Sequence, residues 1–100
     1  MATPESKVKA AVVKLLNKYD VYYFFPATHG YGRSGVPDIV CCVRGRFLAI
    51  ECKAGTNEPT ALQLREITKI QESKGVAAVI RESNLEMVET LLQEMTGEKR

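Results

Sequence analysis

Cysteine is scarce and has no pairing pattern: three in 100 residues, Cys41, Cys42 and Cys52, two of them adjacent. An odd number with adjacent members does not make a disulfide framework. It does not make a zinc site either, because a two-and-two set lacks its fourth ligand. The three lie in apolar runs and read as small buried hydrophobes of a reducing compartment. No charge of one sign dominates, since 14 basic residues against 12 acidic ones leave +2. That balance neither demands nor excludes nucleic acid, so the placement of the basic residues carries more weight. No apolar run reaches membrane-spanning length, and the start does not read as a signal peptide. A soluble, cytoplasmic protein is expected. Internal repeats and low-complexity segments are also missing.

What is there is enough for one domain, taken as residues 1–100. At 45% hydrophobic and 26% charged, the chain is globular, not disordered. A core this small gives modest stability, to which a dimer would add.

Thr3-Pro4 opens a helix, a hydroxyl cap followed by proline at the first helical position. Val8, Ala11, Val12, Leu15, Leu16 and Tyr19 recur on one apolar stripe. Glu5 lies one turn before Val8 on that stripe, an unusual place for an acid. It either favours the helix dipole from the first turn or serves a site. Val21 to Phe25 is a short strand ended by Pro26. A loop from Ala27 to Val36 leads to a second strand, Asp38 to Val43. Arg44-Gly45 is a tight hairpin turn, and Arg46 to Ala54 is the third strand. Leu48, Ile50 and Cys52 take one face of it; Phe47, Ala49, Glu51 and Lys53 take the other.

Thr60-Ala61-Leu62-Gln63 matches a capping box for a second helix, with Leu64, Ile67 and Ile70 on its buried side and Gly75 past its end. Val76 to Ile80 is a continuous apolar run and reads as a strand buried on both faces. Ser83-Asn84-Leu85-Glu86 reads as a further capping box. The last helix carries Leu85, Val88, Leu91, Leu92 and Met95 and stops at Gly97. The helix between the third and fourth strands permits a right-handed parallel crossover. The expected architecture is α/β, a mixed sheet with helices on both faces.

The densest chemistry is Gly35-Val36-Pro37-Asp38 followed by Glu51-Cys52-Lys53. The hairpin sets Asp38 and Glu51 side by side. Two carboxylates so placed, with the Cys52 backbone carbonyl nearby, can hold magnesium, which keeps several waters. One such water, its pKa lowered, is a nucleophile. Lys53 shares the face of Glu51 and can orient that water or neutralise charge on a phosphate. The bland alternative is a surface salt bridge at a strand end. Gln63 either serves its capping box alone or also helps hold the site.

The loop before Asp38 holds His29, Tyr31, Arg33 and three glycines. Glycines let backbone amides approach a phosphate, and Arg33 can fork onto it. His29 is the sole histidine; a general acid and a solvated loop residue are both open readings. Arg44 and Arg46 in the hairpin, and Lys7, Lys9, Lys14 and Lys18 on the first helix, can track a nucleic-acid backbone, or can form ordinary solvated faces.

These elements together resemble the VRR-NUC family, a branch of the PD-(D/E)xK nucleases with the restriction-endonuclease-like fold. The matching positions are Glu5, Gly35-Val36-Pro37-Asp38, Glu51-Cys52-Lys53, Gln63 and the late strand ending Val79-Ile80-Arg81. The resemblance covers nearly the whole chain and is to the small stand-alone form found in phages and bacteria. It implies DNA phosphodiester cleavage with Mg²⁺ or Mn²⁺. Asp38, Glu51 and the Cys52 carbonyl would ligate the metal, and Lys53 would be the catalytic lysine. Glu5 would reach the site from the first helix, directly or through a metal-bound water, and Gln63 would be a site residue. Val79-Ile80-Arg81 corresponds to the valine-arginine-arginine element that names the family but departs from it in having one arginine, so the resemblance leaves the role of Arg81 open. It further implies a homodimer that presents two active sites to a branched substrate such as a Holliday junction. Two other readings stand beside it: a sequence-selective duplex endonuclease, which needs a larger base-reading surface, and a non-catalytic DNA-binding module with a vestigial site.

Overall fold

The computed structural model of the protein describes residues 2–27 and 32–100. Helix α1 (Pro4–Lys18) is followed by strands β1 (Tyr22–Phe24), β2 (Ile39–Val43) and β3 (Arg46–Cys52). Then come helix α2 (Ala61–Glu72), strand β4 (Val76–Ile80), a 3-10 turn (Glu82–Asn84) and helix α3 (Glu86–Thr96). The strands lie in the order β1-β2-β3-β4. β1 pairs antiparallel with β2, β2 antiparallel with β3, and β3 parallel with β4 across α2. This is the mixed α/β sheet expected from the sequence.

Alternation along the strands sorts the two faces. Ile39, Cys41, Val43, Leu48, Ile50, Cys52 and Ile80 form the core with Val8, Val12, Leu16 and Tyr19 of α1 and Val88, Leu92 and Met95 of α3. Helix α2 lies on the opposite face, where Ala49 and Glu51 of β3 point. It covers the β3–β4 half of that face. Toward β1, Tyr22, Phe24 and Phe47 stay about half exposed or more. Phe24 and Phe47 border a groove of about 560 Å³ that runs between Val40 and Ile70.

Local chemistry explains the boundaries. Thr3 Oγ1 accepts from the Ser6 N–H at 3.1 Å, with Pro4 at the start of α1. At the hairpin tip both Arg44 (φ 52°) and Gly45 (φ 84°) are left-handed, the pattern of a turn that matches strand twist. Gly97 (φ 71°) closes α3 in the left-handed conformation.

Four expectations need correction. Leu64 is 50% exposed, and α2 buries Glu66 beside the expected Ile67. β4 is half-buried except at Ile80, because it is a sheet edge. Ser83 caps no helix: Asn84 turns back, its Oδ1 accepting from the Arg81 N–H at 2.7 Å and its Nδ2 donating to the Val79 carbonyl at 3.0 Å. Cys42 is exposed on the α2 face, whereas Cys41 and Cys52 are buried; burial pushes both of those thiols up to about 12. Among the described residues no helix is long and apolar enough to cross a membrane.

Candidate active site

Strand register builds the site. Ile39 faces Ile50 in the antiparallel β2–β3 pair, so Asp38, one step outward, stands opposite Glu51. The Cys52 N–H donates to Asp38 Oδ2 at 2.8 Å. The Cys52 side chain points into the core and is fully buried, so Cys52 reaches the site through its backbone alone. The Lys53 N–H donates to the Ile80 carbonyl at 3.0 Å, which ties the end of β3 to β4. A cleft of about 210 Å³ opens beside these groups, lined by Thr3, Glu5, Ser6, Lys9, Asp38 and Cys52. Glu5, half-buried, therefore comes to Asp38 from the first turn of α1.

Glu51 is 2% exposed. Gln63 Nε2 donates to its Oε2 at 2.9 Å, and Lys53 Nζ lies 3.6 Å from the same oxygen. Its Oε1 is buried and finds no hydrogen-bond partner among the described residues. Burial, and then repulsion from Asp38, push the Glu51 carboxyl up to about 7, against the opposing pull of Lys53; Glu5 adds a further small push. A buried carboxylate oxygen without a partner is costly, and such groups call for an ion, a proton or a water. Lys53 is itself buried, at 9% exposure, so the pair is an interior one and not the surface salt bridge of the bland reading.

Among the described residues no three histidine, cysteine, aspartate or glutamate side chains gather so that they alone could hold a metal ion. Two converging carboxylates and a backbone group nonetheless fit magnesium or manganese, which take hard oxygen ligands; magnesium in particular retains much of its water. The partnerless Glu51 Oε1 is the observation that meets this fit.

Gln63 has both roles that its position allows. Its Oε1 accepts from the Thr60 N–H at 2.9 Å, Thr60 Oγ1 accepts from the Gln63 N–H at 3.2 Å, and its Nε2 turns to Glu51.

The remaining candidates are spread out. Arg33 turns its guanidinium onto Glu66 of α2, with Nε 2.8 Å from Oε1 and Nη2 2.7 Å from Oε2. That pairing holds the Glu66 carboxyl below its usual range. Arg44 and Arg46 stand at the hairpin tip, the far end of β2 and β3 from Asp38, roughly 20 Å along the strands. Arg44 there pairs with Glu98. Lys18 pairs with Glu89 of α3 at 2.7 Å, and Lys9 sits 4.0 Å from the centre of the Phe25 ring. His29 and Tyr31 lie outside the described residues. Arg81 Nη1 donates to the carbonyls of Gly55 and Asn57, and Nη2 lies 3.2 Å from Glu58, so Arg81 pins the loop that leaves Lys53.

Sequence reasoning missed Glu66. It lies three residues past Gln63, on the same helical face, and that spacing was the available signal.

No protein-family model matches the chain, and no curated protein matches it by sequence. A solved structure described as "VRR_NUC domain" superposes with a TM-score of 0.73 over 92% of this chain and 97% of that one, at 22% identity. At that identity the likeness is one of fold, and it is the fold expected from the motifs.

Proposed function

We propose that this chain is a VRR-NUC-type, divalent-metal-dependent DNA endonuclease that hydrolyses phosphodiester bonds, with branched DNA such as a Holliday junction as its substrate. The observation that carries the proposal is the partnerless, buried Glu51 Oε1 opposite Asp38, with Lys53 alongside. The likeness of fold to a VRR_NUC domain supports it.

Asp38, Glu51 and the Cys52 carbonyl would hold Mg²⁺ or Mn²⁺. The bound cation supplies a water of lowered pKa and positive charge beside the scissile phosphate. Lys53 offsets negative charge that builds on the phosphate oxygens. Gln63 holds the Glu51 carboxylate in one orientation, and Glu5 lines the cleft where it can orient a water. Arg46 and Arg44 at the hairpin tip extend the DNA path away from the site, and His29 and Tyr31, in the sequence before Asp38, are further candidates for DNA contact. The half-exposed Tyr22, Phe24 and Phe47 make room for the homodimer that a two-site substrate calls for.

The test is cleavage of four-way junction, flap, single-stranded and plain duplex DNA with Mg²⁺ or Mn²⁺. Junction cutting that is abolished by EDTA and by Asp38→Ala is expected. Cutting by Asp38→Ala at the parental rate would sink the site assignment. Equal cutting of plain duplex would remove the branched substrate, and a monomer under native sizing would remove the dimer.

A further inference from the structure

We infer that Arg33 and Glu66 form a clamp that positions the two carboxylates, joining the segment that delivers Asp38 to the helix that steers Glu51; this rests on the nuclease reading above. Glu66 is an internal acid, 6% exposed, on a helix whose other charged side chains face solvent. Both of its oxygens are taken up by Arg33, with Nε also 3.1 Å from Oε2. A planar fork on a carboxylate fixes direction as well as distance. The arginine side chain is 62% exposed, yet its donors turn inward to Glu66.

A second contact makes the joint rigid. Gly35 lies between Arg33 and Asp38 with φ +78°. A Cβ there would lie 2.6 Å from the Leu62 carbonyl carbon, 2.7 Å from its oxygen and 2.9 Å from the Gln63 nitrogen. The segment is thus pressed onto the α2 backbone beside Gln63, and Arg33 grips the same helix three residues later.

The contacts close a ring. Arg33 and Gly35 fix the chain that ends in Asp38. Asp38 takes the Cys52 N–H, and neighbouring Glu51 takes the Gln63 amide. Gln63 and Glu66 share one face of α2, which returns to Arg33. Loosening the clamp lets α2 and the Asp38 segment drift apart. The separation of the two carboxylates changes while each side chain stays intact. Arg33 and Glu66 are positioning residues on this account, neither touching the reacting phosphate.

The experiment compares the parent with Glu66→Gln, Arg33→Ala, Arg33→Lys and the Glu66→Gln/Arg33→Ala double variant. Mn²⁺ affinity is read by calorimetry without DNA, and kcat and KM are read on junction DNA. Supporting partners of metal ligands commonly contribute about 10- to 100-fold in affinity or activity. Glu66→Gln and Arg33→Ala should each weaken Mn²⁺ binding and lower kcat within that range, with KM nearly unchanged. The double variant should be no worse than the poorer single one, and Arg33→Lys should recover part of the loss. Glu66→Gln is isosteric, and a far-ultraviolet spectrum matching the parent keeps its result interpretable. If Arg33→Ala raises KM alone, and Glu66→Gln frees the arginine and tightens DNA binding, Arg33 is a phosphate contact and the clamp is overturned. Parental Mn²⁺ affinity and kcat in Glu66→Gln overturn it as well. A parent that neither binds Mn²⁺ nor cuts removes the nuclease reading, and the clamp's role with it; a cutting parent with either of the two preceding outcomes sinks the clamp alone.

Discussion

Gln63 is bonded to Glu51: its Nε2 donates to Glu51 Oε2 at 2.9 Å. The orientation of the amide is not arbitrary, because Gln63 Oε1 is already engaged by the Thr60 N–H at 2.9 Å. The start of α2 thereby decides which group meets the buried acid. A donor, not an acceptor, is presented to Glu51, and one of its two oxygens is left for another partner.

Replacing Gln63 separates the two duties. Gln63→Ala removes the reciprocal cap and the Glu51 anchor together, and should cost about 1 kcal/mol of stability from the cap. Loss of the anchor should lower the cleavage rate by about 10- to 100-fold. Gln63→Glu keeps a cap acceptor but sets a carboxylate against Glu51. Urea unfolding should place it nearer the parent than alanine at pH 5, while single-turnover cleavage falls as far as in alanine. Alanine-like stability for Gln63→Glu at pH 5 would show that the cap does not need this acceptor.

Asp38 and Lys53 should part company in a metal-binding assay. Lys53 Nζ is 3.6 Å from Glu51 Oε2 and 9% of the residue is exposed, so it acts from inside the site. Lys53→Met should lower cleavage by about 100-fold or more, as expected for loss of a charge-stabilising group in a site shielded from water. It should still bind Mn²⁺, because both carboxylates stay. Asp38→Asn should lose Mn²⁺ binding and cleavage together. Calorimetry on the two variants checks this, and Mn²⁺ binding by Asp38→Asn at the parental affinity would remove Asp38 as a ligand.

Much of this was legible in the chain. Alternation in β3 put Glu51 and Lys53 on one face and Cys52 on the other, and the structure keeps that division. The capping box at Thr60 and the parallel crossover to β4 followed from local residue types. What stayed hidden depended on distant parts of the chain. Nothing near Arg33 announces Glu66, thirty-three residues away, and nothing near Leu64 says that α2 turns Glu66 and Ile67 inward and leaves Leu64 half exposed. Ser83-Asn84-Leu85-Glu86 fits a helix start as a string. The competing bonds from Asn84 to Arg81 and Val79 decide for a 3-10 turn instead. Glu51 Oε1 is the clearest case: a partnerless oxygen is a property of packing, not of sequence.

Gly35→Ala should be among the most damaging single-methyl additions in the chain. The φ of +78° disfavours any side chain, and the new Cβ would sit 2.6 Å from backbone that cannot rotate away. Strain of this kind, with overpacking, costs about 2 to 4 kcal/mol together. Chemical denaturation should show that loss. Gly55→Ala is the control: it has φ +57° but nothing within 4 Å, so it should cost about 1 kcal/mol. Equal costs at the two sites would mean that the contact with Leu62 contributes nothing.

The pH dependence of stability should carry the signature of Glu51. Its carboxyl is raised from 4.5 to about 7 by burial and by Asp38. Below pH 4.5 both folded and unfolded forms hold the proton, and the folded state bears no penalty. Between 4.5 and 7 the unfolded chain releases the proton while the folded chain keeps it, so stability falls as pH rises. Above 7 the penalty is complete, at about 3 kcal/mol. Glu66, Glu82 and Glu89 are shifted the other way, so their stabilising effect is lost only as pH falls below the same 4.5. The buried thiols of Cys41 and Cys52 act only above pH 9. Among the described residues, the shifts in the window from 4.5 to 7 therefore belong to Glu51. Metal-free protein should lose stability across it in urea titrations, and Glu51→Gln should remove that part of the slope and stand above the parent at pH 8. Added Mn²⁺ should restore the parent at pH 8 by replacing the lost proton at Glu51, and should leave Glu51→Gln nearly unmoved. A parent whose stability rises through this window, or a Glu51→Gln variant that keeps its slope, would show that the buried acid is ionised in the metal-free fold.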